Sequence, residues 1–367
     1  MVIVRRFRTV ALAAVVLSAA VTGPAASQPP AIGHTDVFAR VPDPGMPEGI
    51  AVRDGVVLVS THNSVSGNAN QGPSKIFAYA AGSGERIGEL TIQGQKLDRT
   101  HGVLALTFDA GRHLYAVDQN PGRVLRIDVP HGVLNAVQTT YATIAELPSC
   151  PPGGAPPTAQ PCSPTLVDMP TWANYVVFDR SGYGYVSDLQ SATIWRVPPG
   201  GGTARVWFQD ARLDSYFGPN GLAIDPSGTK LYVAMTASFQ PTSPGLGIIY
   251  TLPLVSSPRA ADLHTFFTYP EPGAGPDGLA FGASRKLYVA LAGTNQISVL
   301  DSNGTEALRF PDAAANAMQE IPYDAPASIA FDGAGSILVT NHSFFTADRN
   351  HWAVLRAYVN DTELPGR

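Results

Sequence analysis

The chain has 367 residues, of which 44% are hydrophobic and 14% charged, with 29 acidic against 24 basic residues and a formal charge of −5. That acidic balance argues against nucleic acid and anionic membrane surfaces as partners, and is compatible with holding a cation. With 36 glycines, 32 prolines and two cysteines, the composition is that of a turn-rich, folded protein, long enough for two ordinary domains or one large β architecture.

Arg5, Arg6 and Arg8 precede an apolar run from Val10 to Ala20, followed by small residues through Ala25, Ala26 and Ser27. This pattern reads as a secretory signal peptide over residues 1–27, leaving 28–367 as one mature domain, secreted or periplasmic. Cleavage there would remove three arginines and no acid, so the mature chain is more negative still. The apolar run is too short to span a bilayer, and no later stretch approaches the roughly 20 apolar residues a membrane helix needs.

A short strand, HTDVFARVP from His34, comes first, and then one pattern recurs six times. It reads PEGIAVRDGVVLVS from Pro47, HGVLALTFDAGRHLYAVD from His101 and ANYVVFDRSGYGYVSD from Ala173. It returns as PNGLAIDPSGTKLYVAM from Pro219, PDGLAFGASRKLYVAL from Pro276 and PASIAFDGAGSILVTN from Pro326. Each unit has room for four short strands, as in GLAID, LYVAM, IIYTLPL and HTFFTYP of the fourth. Four-stranded units repeated about an axis make a propeller. The fold expected is therefore all-β, a six-bladed β-propeller. Its last blade has only two further clear strands, ILVTN and WAVLRAYV, so the strand at Thr35 to Arg40 is expected to complete it and close the ring.

The long gap between the second and third units holds the Pro/Gly-rich segment near 148–164, bracketed by Cys150 and Cys162. Two cysteines closing a short loop in an exported chain point to a structural disulfide.

Counting five residues back from the residue that ends each inner strand gives Glu48, Asn174, Asn220 and Asp277 in four blades and Ala327 in the sixth. Inner strands run beside the central channel, so these positions should converge at its mouth. Two carboxylates and two amide oxygens form an all-oxygen set suited to one divalent cation, most naturally Ca²⁺. Taken singly, Asn-Gly and Asp-Gly are ordinary turn dipeptides and Glu48 an ordinary loop acid; the shared register is what argues for a site. In the second blade the same count reaches Leu104, with His101 three residues earlier, where a loop histidine or a catalytic one are both readings. Loops following the second strands should open on the same face. They bring His62, Asn63, Asp118, Asp188, Phe239, Asn295, Asn341 and His342 to the rim, of which His62, Asp188, Phe239 and His342 join Trp172 and Tyr175 as candidate substrate contacts.

PNGLAIDPSGTKLYVA, PDGLAF and the first-blade Glu-Gly resemble signature stretches of the gluconolactonase, regucalcin and senescence-marker family of six-bladed propellers. The resemblance implies a divalent cation held by Glu48, Asn174, Asn220 and Asp277. Where that family has Asp after the third-blade Asn and Arg two residues before it, this chain has Tyr175 and Trp172, a less polar setting than a sugar lactone would call for. His101-Gly102 resembles instead the start of the second blade in paraoxonases, which hydrolyse lactones and esters. The expected activity is metal-dependent hydrolysis of a small-molecule lactone or related ester, with His101 or Asp277 as proton acceptor. The competing expectations are a non-catalytic ligand- or protein-binding propeller with a structural cation, and, more remotely, a lyase like strictosidine synthase, which shares the fold. G-x-S-x-G, H-E-x-x-H, CxxC and phosphate-loop motifs are all missing from the sequence.

Overall fold

The computed structural model describes residues 1–2, 28–62, 72–129, 137–150, 161–166 and 169–364. The signal-peptide stretch and Asn63 lie outside the described residues. The chain divides into two compact units, residues 1–31 and residues 32–367, and all of the described strands belong to the second.

These strands form six sheets, one per sequence repeat, antiparallel throughout apart from one added edge strand. The inner strands are Pro47–Arg53, Val103–Phe108, Ala173–Phe178, Pro219–Ile224, Pro276–Phe281 and Pro326–Phe331. The second strands are Val56–Thr61, Leu114–Asp118, Gly184–Asp188, Lys230–Met235, Leu287–Leu291 and Ser336–Asn341. Each inner strand neighbours that of the next blade around a central channel, the β-propeller arrangement. Thr35–Arg40 pairs antiparallel with Ala353–Tyr358 as the outer strand of the sixth blade. That pairing joins the first strand of the ring to the last blade and covers an edge that would otherwise stand open. Among the described residues the single α-helix, Ala313–Ala317, is five residues long, and no helix is long and apolar enough to cross a membrane.

The repeated motif has a local cause in the blades that carry an Asp directly after the inner strand. The Asp after the inner strand accepts hydrogen bonds from the turn it begins: Asp179 from the Ser181 and Tyr183 amides, Asp225 from those of Thr229 and Lys230. It also takes the hydroxyl of the Tyr in the second strand, Tyr115 to Asp109 and Tyr185 to Asp179. The Asp-x-x-Gly and Leu-Tyr-Val signals are thus two halves of one hairpin lock. Between blades the β-branched and aromatic faces interdigitate, as where Val57, Val59 and Phe77 meet Leu338, Val354 and Trp352 at the closure.

The second blade departs from the four-strand expectation. Gly202–Thr203 adds to its outer edge as a fifth, parallel strand beside Ala142 and Thr143. The triple glycine permits it: Gly201 has φ +90°, and a Cβ there would lie 2.2 Å from the Tyr141 carbonyl oxygen. Cys150 and Cys162 are joined in a disulfide, a bond at home in an oxidising compartment. On the opposite face of the ring, Glu363 bridges to Gly282 and, with Leu364, lines the other end of the channel.

Candidate functional site

Every inner strand carries a β-bulge at the same step. Register shifts occur between Pro47 and Ile50, Val103 and Ala105, Ala173 and Val176, Pro219 and Leu222, Pro276 and Leu279, and Pro326 and Ile329. The second residue of each strand falls inside the bulge: Glu48, Leu104, Asn174, Asn220, Asp277 and Ala327 in blade order. A bulge leaves its extra residue out of the ladder and re-aims the side chain. Five of these six side chains, all but Ala327, line one chamber at the channel mouth.

Glycine follows the donor in three of these strands because the neighbouring backbone occupies the space of a Cβ. At Gly221 a Cβ would lie 2.0 Å from the Asp277 carbonyl oxygen, and at Gly278 2.4 Å from that of Ala327. Pro-Asn-Gly and Pro-Asp-Gly, which read as turns, are therefore strand segments pressed against the next blade.

Hydroxyls on the second strands stitch the blades together at this step. Ser187 Oγ accepts from the Tyr175 amide and donates to the Asn220 carbonyl at 2.6 Å. Thr340 Oγ1 accepts from the Ser328 amide and donates to the Glu48 carbonyl at 2.7 Å, and Ser60 joins Gly49 to Val103 in the same way. Thr236 accepts from Asn220 Nδ2 and donates to the Pro276 carbonyl. That bond orients the Asn220 amide so that its oxygen is left for the chamber.

The chamber encloses about 530 Å³ of empty space, its open mouth included. Glu48, Asn174 and Asn220 are each about 5% exposed, and Glu48 Oε2, Asn174 Oδ1 and Asn220 Oδ1 have no hydrogen-bond partner. Buried polar atoms are nearly always paired, so three orphaned oxygens on one chamber, beside the Asp277 carboxylate, form a donor set that a cation would satisfy. Burial pushes the Asp277 carboxyl up to about 8, with the Asn220 amide pulling it partly back. Burial, and then the charge of Asp277, raises Glu48 well above the carboxylate range. Two carboxyls so placed resist ionising together until positive charge arrives.

Two histidines complete the chamber. His62 and His342 are 2% and 4% exposed and stack with ring centroids 5.4 Å apart and planes 6° from parallel. Their Nε2 atoms are unpartnered, and His342 Nε2 stands 3.3 Å from Glu48 Oε2. Burial holds His62 down to about 3 and His342 well below the imidazole range, so both rings are neutral. The edge of Trp172 meets His62 at 6.1 Å, and Phe344 stacks on His342 at 5.5 Å. Phe217, Phe345, Leu104 and Leu189 extend the apolar wall.

Other rim candidates take different places. His101 is fully buried away from the chamber, its Nδ1 2.8 Å from the Arg99 carbonyl and its Nε2 2.9 Å from that of Gly72, so neither nitrogen is free. The His-Gly pair matters here through its glycine: a Cβ on Gly102 would lie 2.3 Å from His62 Cδ2. Tyr175 occupies the step after the donor, where Gly49, Gly221 and Gly278 sit, and faces the deeper channel. Burial pushes its phenol up, the carboxylates of Asp277 and Glu48 adding to the shift. Asp188 is fully buried and accepts from the Trp172, Gln190 and Ser191 amides and from Trp195 Nε1, which makes it the anchor of its loop. Asp118 is held by Arg123 and Gln95, Asn341 by the Asp324 amide and the Pro322 and His351 carbonyls, and Asn295 by the Ala325 amide. Phe239 packs edge-on against Tyr216 outside the chamber. Phe217, Phe344, Phe345 and Thr236 are chamber residues that the repeat pattern did not single out.

No protein-family model matches this chain, and no curated protein matches it in sequence. Solved structures do. Regucalcin from Agrobacterium tumefaciens, described as a calcium-binding protein, is 16% identical with a TM-score of 0.61, over 90% of this chain and 95% of that one. A structure assigned as a gluconolactonase is 16% identical with a TM-score of 0.56, over 91% and 95%. Virginiamycin B lyase from Staphylococcus aureus is 16% identical with a TM-score of 0.51, over 84% and 81%. Neighbours this different in sequence and activity share an architecture: the chain has the β-propeller fold of regucalcin and the gluconolactonase.

Proposed function

We propose that this protein is an exported, cation-dependent hydrolase of a lactone or related ester with an apolar substituent. The observation that carries the reading is the chamber itself, in which three unpartnered buried oxygens and the Asp277 carboxylate meet an apolar wall. Glu48, Asn174, Asn220 and Asp277 would hold the cation, and the all-oxygen set favours Ca²⁺. The regucalcin structure, a calcium-binding protein, and the gluconolactonase lend the same direction by analogy of fold. Bound there, a divalent cation supplies Lewis-acid polarisation of a carbonyl and charge for an oxyanion.

The chain's own residues do the rest. Trp172, Phe217 and Phe344 exclude water from the acyl side and orient the ring or chain of the substrate. Asp277, a carboxylate on the chamber wall, is placed to take a proton from the attacking water at a carboxylate oxygen. His101 is not assigned that step, because carbonyls engage both of its nitrogens. Export is supported by the disulfide and by the signal-like N-terminal sequence.

The test is a lactone and ester panel run with purified protein, before and after chelation, alongside Asp277→Ala. Turnover that vanishes on chelation, returns with Ca²⁺ and is lost in the variant together with tight cation binding is the expected result. If Asp277→Ala keeps turnover, or no member of the panel is hydrolysed while an apolar small molecule binds the chamber, the protein is a binding propeller with a bracing cation.

A further inference from the structure

His62, His342 and Glu48 form a grouping that an all-oxygen calcium site leaves unused. Their ligand atoms all lie within 4.8 Å of one another, and all three side chains are more than nine-tenths buried. Asp277 is not part of this grouping although it lines the same chamber. His62 Nε2, His342 Nε2 and Glu48 Oε2 are each without a hydrogen-bond partner. Two ring nitrogens and a carboxylate oxygen facing one another, dry and unpaired, are costly unless something accepts their lone pairs.

We propose that these three residues form a second metal position, shared with the oxygen site through Glu48, that takes a borderline divalent transition metal, Zn²⁺ foremost. Two imidazoles and one carboxylate are the ligand set of open, three-residue zinc sites, and nitrogen donors discriminate against calcium. The spacing agrees. Ligands bound tetrahedrally at roughly 2.0–2.2 Å stand about 3.3–3.5 Å apart, and His342 Nε2 to Glu48 Oε2 is 3.3 Å. The rings are held for the purpose: Gly102 leaves room for the His62 ring, Trp172 meets its edge, and Phe344 stacks on His342. Glu48 Oε2 is the oxygen turned to the histidines, and the same carboxylate lines the chamber with Asn174, Asn220 and Asp277. The proposal borrows from the proposed function only the existence of that oxygen site; it stands whether or not the protein hydrolyses lactones.

The test uses the mature protein stripped with chelator, then equilibrated with Ca²⁺ and Zn²⁺ together and separately, with bound metal measured by elemental analysis after gel filtration. The wild type is expected to retain one of each per chain. The double variant His62→Gln, His342→Gln should keep calcium while its zinc affinity falls by about 100-fold or more, since two of three ligands are gone. Asp277→Asn should do the reverse, losing calcium and keeping zinc, which separates failure of the oxygen site from failure of this one. Ring ¹⁵N shifts of His62 and His342 in the wild type provide a readout that does not depend on a variant folding; both Nε2 signals should move on adding Zn²⁺. The proposal is overturned if those signals stay put, if zinc merely displaces calcium at one metal per chain, or if zinc content is unchanged in the double variant. It is equally overturned if the double variant loses turnover with both metals retained, which would make the pair a proton acceptor instead.

Discussion

Without the proposed cation, this protein's stability should depend on pH in a direction opposite to that of most acidic proteins. Carboxylates paired with cations or hydrogen-bonded in the folded state have lowered pKa values, and folding then weakens in acid. Here burial raises Asp277 from 3.8 to about 8. Between about pH 4 and pH 8 the metal-free folded chain holds a proton that the unfolded chain has released, so stability falls as pH rises through that window. At about 1.36 kcal/mol per pKa unit, Asp277 alone accounts for roughly 5–6 kcal/mol by pH 8. Glu48 adds in the same direction. A bound cation reverses the preference, because it pairs with both carboxylates in their ionised form. Thermal unfolding at pH 5, 6, 7 and 8, in chelator and in excess Ca²⁺, reads the effect. Three pH units at that slope amount to about 4 kcal/mol, so at about 2 °C per kcal/mol the chelated midpoint should drop by about 8 °C across the series, while the calcium-loaded midpoint holds. Asp277→Asn removes the titrating group, so the variant in chelator should show a much flatter profile than the wild type. A chelated wild type as stable at pH 8 as at pH 5, or an Asp277→Asn variant with an unchanged slope, would refute the electrostatic account of the chamber.

Other consequences concern the framework around the donors. Ser187→Ala leaves the Tyr175 amide without its buried acceptor and frees the Asn220 carbonyl, at a cost of about 1–3 kcal/mol in urea unfolding, with weakened cation binding on calorimetric titration. Gly221→Ala places a methyl 2.0 Å from the Asp277 carbonyl oxygen, and with backbone unable to yield cheaply it should cost about 3 kcal/mol or more and displace Asp277 from the chamber; a variant with wild-type stability and cation affinity would contradict the close approach. Denatured, unreduced protein should titrate with close to zero free thiols. Reducing Cys150–Cys162 should lower stability by no more than about 3 kcal/mol, the entropic limit for so short a loop.

The propeller and its closure were legible because they rest on repetition. Six copies of an inner strand, an Asp turn and a Leu-Tyr-Val strand leave few alternatives, and a sixth unit lacking one strand demands an outside contributor such as Thr35–Arg40. The common step of Glu48, Asn174, Asn220 and Asp277 was legible for a related reason. The bulge recurs in all six inner strands, so counting back from the turn reaches the same place each time. What the count cannot see is side-chain direction one residue on. Tyr175 adjoins Asn174 yet faces the deeper channel, because it fills the step where three other blades need glycine. Loop residues were harder still. Asp118, Asp188 and Asn341 end second strands on the correct face, but each is consumed in holding its own loop, and a polar residue that satisfies backbone looks in sequence like one that meets substrate. Phe344 and Phe345 reach the chamber through a loop whose path is set by tertiary contacts such as Phe344 against Phe217, for which no sequence period exists.

The ring's own gaps explain why the histidines matter. A six-bladed propeller offers six equivalent positions at the channel mouth, and here four carry oxygen donors while blades 2 and 6 carry Leu104 and Ala327. Leu104 contributes apolar wall, so one side of the mouth is dry. Ala327 contributes almost nothing, and the gap it leaves lies between the two carboxylate-bearing blades, 5 and 1. Into that sector the loop after the sixth blade's second strand delivers His342, stacked on His62 from the first blade and 3.3 Å from Glu48. Strand register supplies hard oxygens from four blades, and loops supply neutral nitrogens over the blade that withholds one. The chemistry of this mouth is therefore set by two parts of the fold that meet at Glu48: substitutions at Asn174, Asn220 or Asp277 should alter the oxygen ligands alone, those at His62 or His342 the nitrogen ligands alone, and those at Glu48 both.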